Sequence, residues 1–221
     1  MLKSVKIIKK DIKNFSIKVK PSGEVIINAP KDASDEHIGF VFKKREKWII
    51  IKQEFFAKFK SREKELVSGE EMKYLGRSYR LKVNESKEEF VRLNRGTLEL
   101  FVRDKNNFKK KQKLLDEWYK DKALICFFNI INEFNKMVKR DIKNVRIRKM
   151  KTRWGSCNAA KSYINLNLEL IKKPKKCVEY VIFHELAHLI HTDHSKKFYE
   201  YLSVYMSDWQ ERKRVLENSL N

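Results

Sequence analysis

Cysteine is nearly absent from this chain. The three present, Cys126, Cys157 and Cys177, are widely spaced with no Cys-x-x-Cys pair, which argues against both a disulfide framework and a thiolate zinc ribbon. Long apolar runs are missing too. No stretch approaches the roughly 18 residues needed to span a bilayer, and lysines interrupt the N-terminal segment too often for a signal-peptide core. A reducing, cytoplasmic location and no membrane partner are expected. Glycine (six) and proline (three) are few, and neither an internal repeat nor a low-complexity segment is present. With 42% hydrophobic residues in 221, the chain can bury one core or two small ones. Acidic residues fall far short of basic ones, 29 against 51, giving a net charge of +22 that runs through both halves and so is not a basic tail. Such a field attracts phosphate backbones, anionic lipid or acidic protein, but a lysine-rich solvated surface gives the same count, and composition does not choose between them.

Hydrophobic patterning gives an α+β order. Phe15 to Val19 and Val25 to Ile27 alternate around the turn residues Ser22 and Gly23, a hairpin. Ser34-Asp-Glu opens a helix that runs to about residue 60. Short alternating runs return between Tyr74 and Val102, separated by Gly76, Asn84 and Gly96. The character changes near Asp104, where Leu114, Leu115, Trp118, Ile131 and Val138 begin a long amphipathic helix from Phe108 to Arg140. Strands at Asn144 to Met150 and Tyr163 to Leu168 flank Arg153-Trp-Gly-Ser-Cys157, and helices from Cys177 to His191 and from Ser195 to near Leu216 close the chain. The expected division is a β-rich N-terminal subdomain with one long helix, residues 1–105, followed by a second domain, residues 106–221.

Four of the five histidines fall within His184-Glu-Leu-Ala-His-Leu-Ile-His-Thr-Asp-His194. On a helix His184 and His188 stand one turn apart, about 6 Å along the axis, so both imidazoles can reach one ion. Glu185 lies on the adjacent face, where a carboxylate can reach water at the ion from the side, as a general base must. Phe183, Leu186, Ala187, Leu189 and Ile190 surround these polar residues, and a buried His-Glu-His stripe is costly unless a metal compensates it. His191 would lie about 10 Å along the axis from His184, too far for one tetrahedral ion. A turn at Thr192-Asp193 would swing His194 back, which makes His194 the expected third ligand, with Glu200 or Glu211 the remaining choices. His191 is expected to cap the helix end or support a ligand.

This histidine segment, with Thr152-Arg-Trp-Gly-Ser-Cys157 and Ile164-Asn-Leu-Asn167, resembles the YgjP-like metallopeptidase family, a relative of the SprT-like and WLM zincins. The resemblance implies a zincin-like catalytic domain with a small antiparallel sheet and an active-site helix. It also implies one zinc ion held by His184, His188 and His194, with Glu185 as base. The implied reaction is hydrolysis of a protein or peptide substrate by zinc-activated water. The strand at Tyr163 to Asn167 is the candidate edge for pairing an extended peptide, and Arg153, Trp154, Gly155, Tyr163 and Asn165 are candidate substrate-binding residues. Tyr163 and Tyr199 are candidates to steady the oxyanion. The densest basic stretch includes Arg146, Arg148, Lys149 and Lys151, a candidate nucleic-acid-binding face. SprT-like relatives act on proteins attached to DNA, which supports that partner. Two other classes use the same features: a zinc hydrolase of nucleoside triphosphates, and a non-enzymatic nucleic-acid-binding module with a structural metal.

Overall fold

The structure is a computed structural model that describes residues 5–20, 22–58, 65–150 and 153–218. The chain divides into two compact units, residues 1–63 and 64–221.

The first unit is a three-stranded sheet and one helix. Strands β1 (Val5–Lys10), β2 (Ser16–Val19) and β3 (Val25–Pro30) lie in the order β1-β3-β2, with β3 parallel to β1 and antiparallel to β2. Gly23 takes the left-handed conformation, φ 84°, in the turn between β2 and β3. Being central, β3 is apolar on successive inward positions, and Val25, Ile27 and Ala29 are buried with Ile38 and Ile49 of helix α1 (Asp35–Lys58). The Ser34 hydroxyl caps α1 by accepting from the His37 amide, and Asp35 and Glu36 place negative charge at its first turn.

The second unit begins with strands β4 (Glu71–Tyr74), β5 (Arg77–Glu85), β6 (Phe90–Asn94) and β7 (Thr97–Val102), in the order β4-β5-β7-β6. Helix α2 (Phe108–Val138) follows; Asn107 caps its start and Lys139 ends it in the left-handed conformation. Leu81, Leu98 and Leu100 of the sheet share one core with Leu115, Trp118, Phe127 and Ile131 of α2. The change of character near residue 105 therefore falls inside this unit, between β7 and α2.

Strands β8 (Asn144–Arg148), β9 (Gly155–Asn158) and β10 (Tyr163–Asn167) form the sheet nearest the histidines, in the order β8-β10-β9. It is mixed rather than antiparallel, since β10 runs parallel to β8 and antiparallel to β9. The chain leaves β8, passes β10's position and returns only after β9, which fixes the parallel pair. Helices α3 (Lys175–Ala187), α4 (Lys196–Tyr205) and α5 (Trp209–Asn218) complete the unit. Two departures from the sequence pattern matter. Helix α3 stops at Ala187, whose carbonyl accepts from both Ile190 and His191 as the chain turns away. The last expected helix is broken at Met206 to Asp208, where the Asp208 carbonyl starts α5 by accepting from the Arg212 amide. Among the described residues no helix is long and apolar enough to cross a membrane.

Candidate metal centre

Helix α3 is buried on almost every side. Val178, Val181, Ile182, Phe183, Leu186 and Ala187 belong to the core, so the polar side chains of its last turn must face an internal feature. His184 and Glu185 sit in its last turn, and His188 is the residue that caps it. The turn that follows brings back His194, just before α4.

His184, His188 and His194 each offer one ring nitrogen, and these atoms lie within 4.8 Å of one another. Nε2 of His184 and Nε2 of His194 are 3.0 Å apart. His188 Nδ1 lies 3.0 Å from the His191 carbonyl oxygen, which can only accept, so the proton is on Nδ1 and Nε2 keeps its lone pair. That contact is the part His191 plays, through its main chain, while its ring packs on Tyr201. The Phe198 ring lies against all three imidazoles, with centroids 4.6 to 5.0 Å away, and is fully buried. It is the floor of the cluster, legible only as the apolar residue one turn after His194. Glu200 and Glu211 are turned elsewhere, into pairs with Lys196 and Arg214.

The electrostatics fit a divalent cation. Burial, then the charges of His188, His194 and Lys213, pushes His184 down to about 3, and burial also lowers His188, so both are neutral imidazoles near pH 7. Nδ1 of His184 is buried without a hydrogen-bond partner among the described residues. Three imidazole nitrogens, two of them on half-buried rings held neutral and one tautomer fixed by a carbonyl, match the donor set that zinc takes.

Glu185 is 7% exposed and stands outside this ligand group. Burial pushes its carboxyl up to about 8, with Arg153 pulling the other way. The wall against it is the start of β9. A Cβ at Gly155 would fall 2.6 Å from Glu185 Oε1 and 2.7 Å from its Cγ, so only glycine lets main chain and carboxylate lie this close. Helix and strand frame a cleft of about 600 Å³ lined by Arg153, Gly155, Ser156, Cys157, Ala159, Ala160, Thr192, Glu185 and the three histidines. Burial and the nearby Glu185 carboxylate raise the Cys157 thiol to about 11.

Of the candidate substrate residues, Arg153 and Gly155 line this cleft; Trp154, Tyr163, Asn165 and Tyr199 do not. The reason is strand order. With partners on both sides, β10 is the centre of its sheet and β9 is the edge that meets the cleft. Asn165 donates to Ser156 Oγ at 3.2 Å, and Tyr163 sits under the guanidinium of Arg146. Sequence patterning gave no role to Asn167, yet its buried amide ties down the whole Arg-Trp-Gly turn. Its Nδ2 donates to the carbonyls of Met150 and Arg153, both at 2.9 Å, and its Oδ1 accepts from the amides of Met150 and Glu169.

The family described as YgjP-like, metallopeptidase domain, matches residues 13–219. Among solved structures the chain is similar to the metallopeptidase zymogen of Methanocaldococcus jannaschii jannalysin, at 24% identity over 43% of this chain and 90% of that one, with a TM-score of 0.39. It is also similar to the metallopeptidase zymogen of Pyrococcus abyssi abylysin, at 20% identity over 42% of this chain and 94% of that one, TM-score 0.39. No curated protein matches. Because the family's domain takes in nearly the whole sequence, histidine cluster and Arg-Trp-Gly turn included, the chain belongs to the YgjP-like metallopeptidases and is a peptide hydrolase.

Proposed function

We propose that His184, His188 and His194 hold one zinc ion and that Glu185 is the general base for peptide-bond hydrolysis in the cleft above them. One observation carries this reading: three ring nitrogens converge within 4.8 Å while the neighbouring carboxylate shares their cleft without joining them. Zinc bound there supplies a Lewis acid for the scissile carbonyl and lowers the pKa of attacking water toward about 7. Glu185, buried in the same cleft, takes the proton from that water and returns it to the leaving amine. Gly155 holds the main chain against the carboxylate and limits its movement. The outer side of β9, which among the described residues pairs only with β10, offers main-chain donors and acceptors to an extended peptide. Elemental analysis of the purified chain should give one zinc per molecule, and His188→Ala should lose it. A wild type that neither retains nor takes up zinc overturns the reading. Release of phosphate from nucleoside triphosphates, without peptide cleavage, would move the chemistry to phosphoanhydrides.

A second reading, association with nucleic acid, is favoured by Arg146 and Arg148, which stand exposed at alternate positions of β8 with Tyr163 alongside. Lys149 is drawn into an ion pair with Asp116 at 2.7 Å, and Lys151 lies outside the described residues. Replacing Arg146 and Arg148 together with alanine should weaken binding of single-stranded DNA and reduce the slope of log K against log salt by about 1–2. Binding that does not change between low and high salt would remove nucleic acid from the list of partners.

A further inference from the structure

We propose that Arg153 selects substrates that carry a carboxylate beside the scissile bond, and that Asn167 is the positioning residue that presents it. The proposal rests on the peptidase reading above and names the substrate class of that site.

The cleft has little else with which to choose. One wall is built from Gly155, Ser156, Ala159 and Ala160, which form no deep apolar pocket for a large side chain. Among the described residues, its charged side chains besides the histidines are Glu185 and Arg153. The carboxylate of Glu185 is committed to its close fit against Gly155. The guanidinium of Arg153 is exposed and makes no ion pair among the described residues, although the chain has 29 acidic side chains. A planar fork of donors left without a carboxylate, in the lining of the cleft, is suited to one brought by the substrate.

The turn behind Arg153 argues against an ordinary solvated arginine. Asn167 is 4% exposed, and burying a primary amide is unfavourable unless its hydrogen bonds are made. All four are made, and three of them hold Met150 and Arg153, the two sides of the turn. The main-chain N–H of Asn167 also donates to the Trp154 carbonyl at 2.8 Å. The segment presenting Arg153 is thus fastened from beneath by the same side chain that caps the short 3-10 turn Leu168–Lys172.

Two sources supply the same chemistry: an aspartate or glutamate side chain, and the C-terminal carboxylate of a peptide. The test uses the full chain with Glu185→Gln, loaded with zinc, and fluorescein-labelled peptides in matched pairs, Glu against Gln, each with a free or an amidated C-terminus. Fluorescence anisotropy should show carboxylate-bearing peptides binding about tenfold tighter than their neutral partners. Adding Arg153→Ala should abolish that ratio, and Arg153→Lys should restore part of it. Asn167→Ala, in preparations that keep full zinc content, should lower the ratio as well, whereas general destabilisation would weaken both peptides alike. The pair that shows the difference identifies the source. No preference, or a preference that survives Arg153→Ala, overturns the proposal; if that survivor disappears on chelation, the metal was reading the carboxylate. Cleavage by the wild type of neutral and acidic peptides at equal rates would overturn the proposal and leave the peptidase reading standing. An Arg153-dependent ratio in a wild type that cuts no peptide would uphold the carboxylate site and overturn the reading it was built on.

Discussion

Three times this chain lays down three strands in the spatial order first, third, second, and then a helix: β1-β3-β2 before α1, β5-β7-β6 before α2, and β8-β10-β9 before α3. In each, the third strand is central, parallel to the first and antiparallel to the second. The third arrangement alone carries the histidine cluster, so the topology cannot be what makes the site. The difference lies in the helix. Helices α1 and α2 have 24 and 31 residues and keep broad faces in water, so polar side chains there meet solvent at no cost. Helix α3 has 13 residues, nine of them buried, and a polar group on it must find a partner within the fold. A His-Glu pair on α1 would be decoration. On α3 it is a constraint that the cleft, and a metal held by the three histidines as proposed, would satisfy. The second strand differs as well, because β9 begins with a glycine pressed against the carboxylate of its own helix.

The largest expected effect comes from the polar residue the buried helix has to accommodate. Under the proposed mechanism, Glu185→Gln removes the proton shuttle and keeps the volume. The turnover of a cleavable peptide should fall about 10²- to 10⁴-fold while zinc content is unchanged. Steady-state kinetics beside elemental analysis checks both halves, and full activity with full zinc would show that another group moves the proton. Next comes Gly155→Ala. Its Cβ would lie 2.6 Å from Glu185 Oε1, so strand or carboxylate must shift, and a displacement of that kind at the reacting centre should lower turnover about 10²-fold. Zinc should stay, since Gly155 has no side chain to offer the metal and the proposed ligands are the three histidines.

Much of this site was legible in the sequence, and the part that was not has a common cause. The spacing of His184, Glu185 and His188 encodes a local geometry, one helical turn, and helices transmit local geometry faithfully. His194 required only a turn, and Thr192-Asp193 marked it. The strands were legible as elements, from alternation at Val25 to Ile27 and Tyr163 to Leu166, but their order was not. Nothing in the alternation of Tyr163 to Asn167 tells a central strand from an edge, so the edge was assigned to β10 when it belongs to β9. Asn167 and Phe198 stand in the stretches that carry the family resemblance, but they act through contacts with residues distant in space or one turn away, and neither alternation nor helical spacing assigns them a role. Helix α3 was drawn too long for a related reason: apolar residues continue through Leu189 and Ile190, but the hydrogen bonds from Ile190 and His191 both return to Ala187 and turn the chain.

The smallest effect separates the first arrangement from the third most cleanly, because the same substitution should change sign. Gly39 lies within α1, exposed, with a φ outside the left-handed region, and a Cβ built on it meets no atom within 4 Å. Glycine inside a helix loses more backbone freedom on folding than alanine, so Gly39→Ala should stabilise the N-terminal unit by about 0.5–1 kcal/mol. Peptide turnover and zinc content should match the wild type. Thermal or urea denaturation, with kinetics on the same preparation, checks this beside Gly155→Ala. If both substitutions lower activity alike, helix α1 contributes to the chemistry and the contrast between the arrangements is mistaken. If Gly39→Ala raises stability while Gly155→Ala leaves Glu185 idle, then the cost of a methyl group is set by what stands opposite it: water against α1, a buried carboxylate against β9.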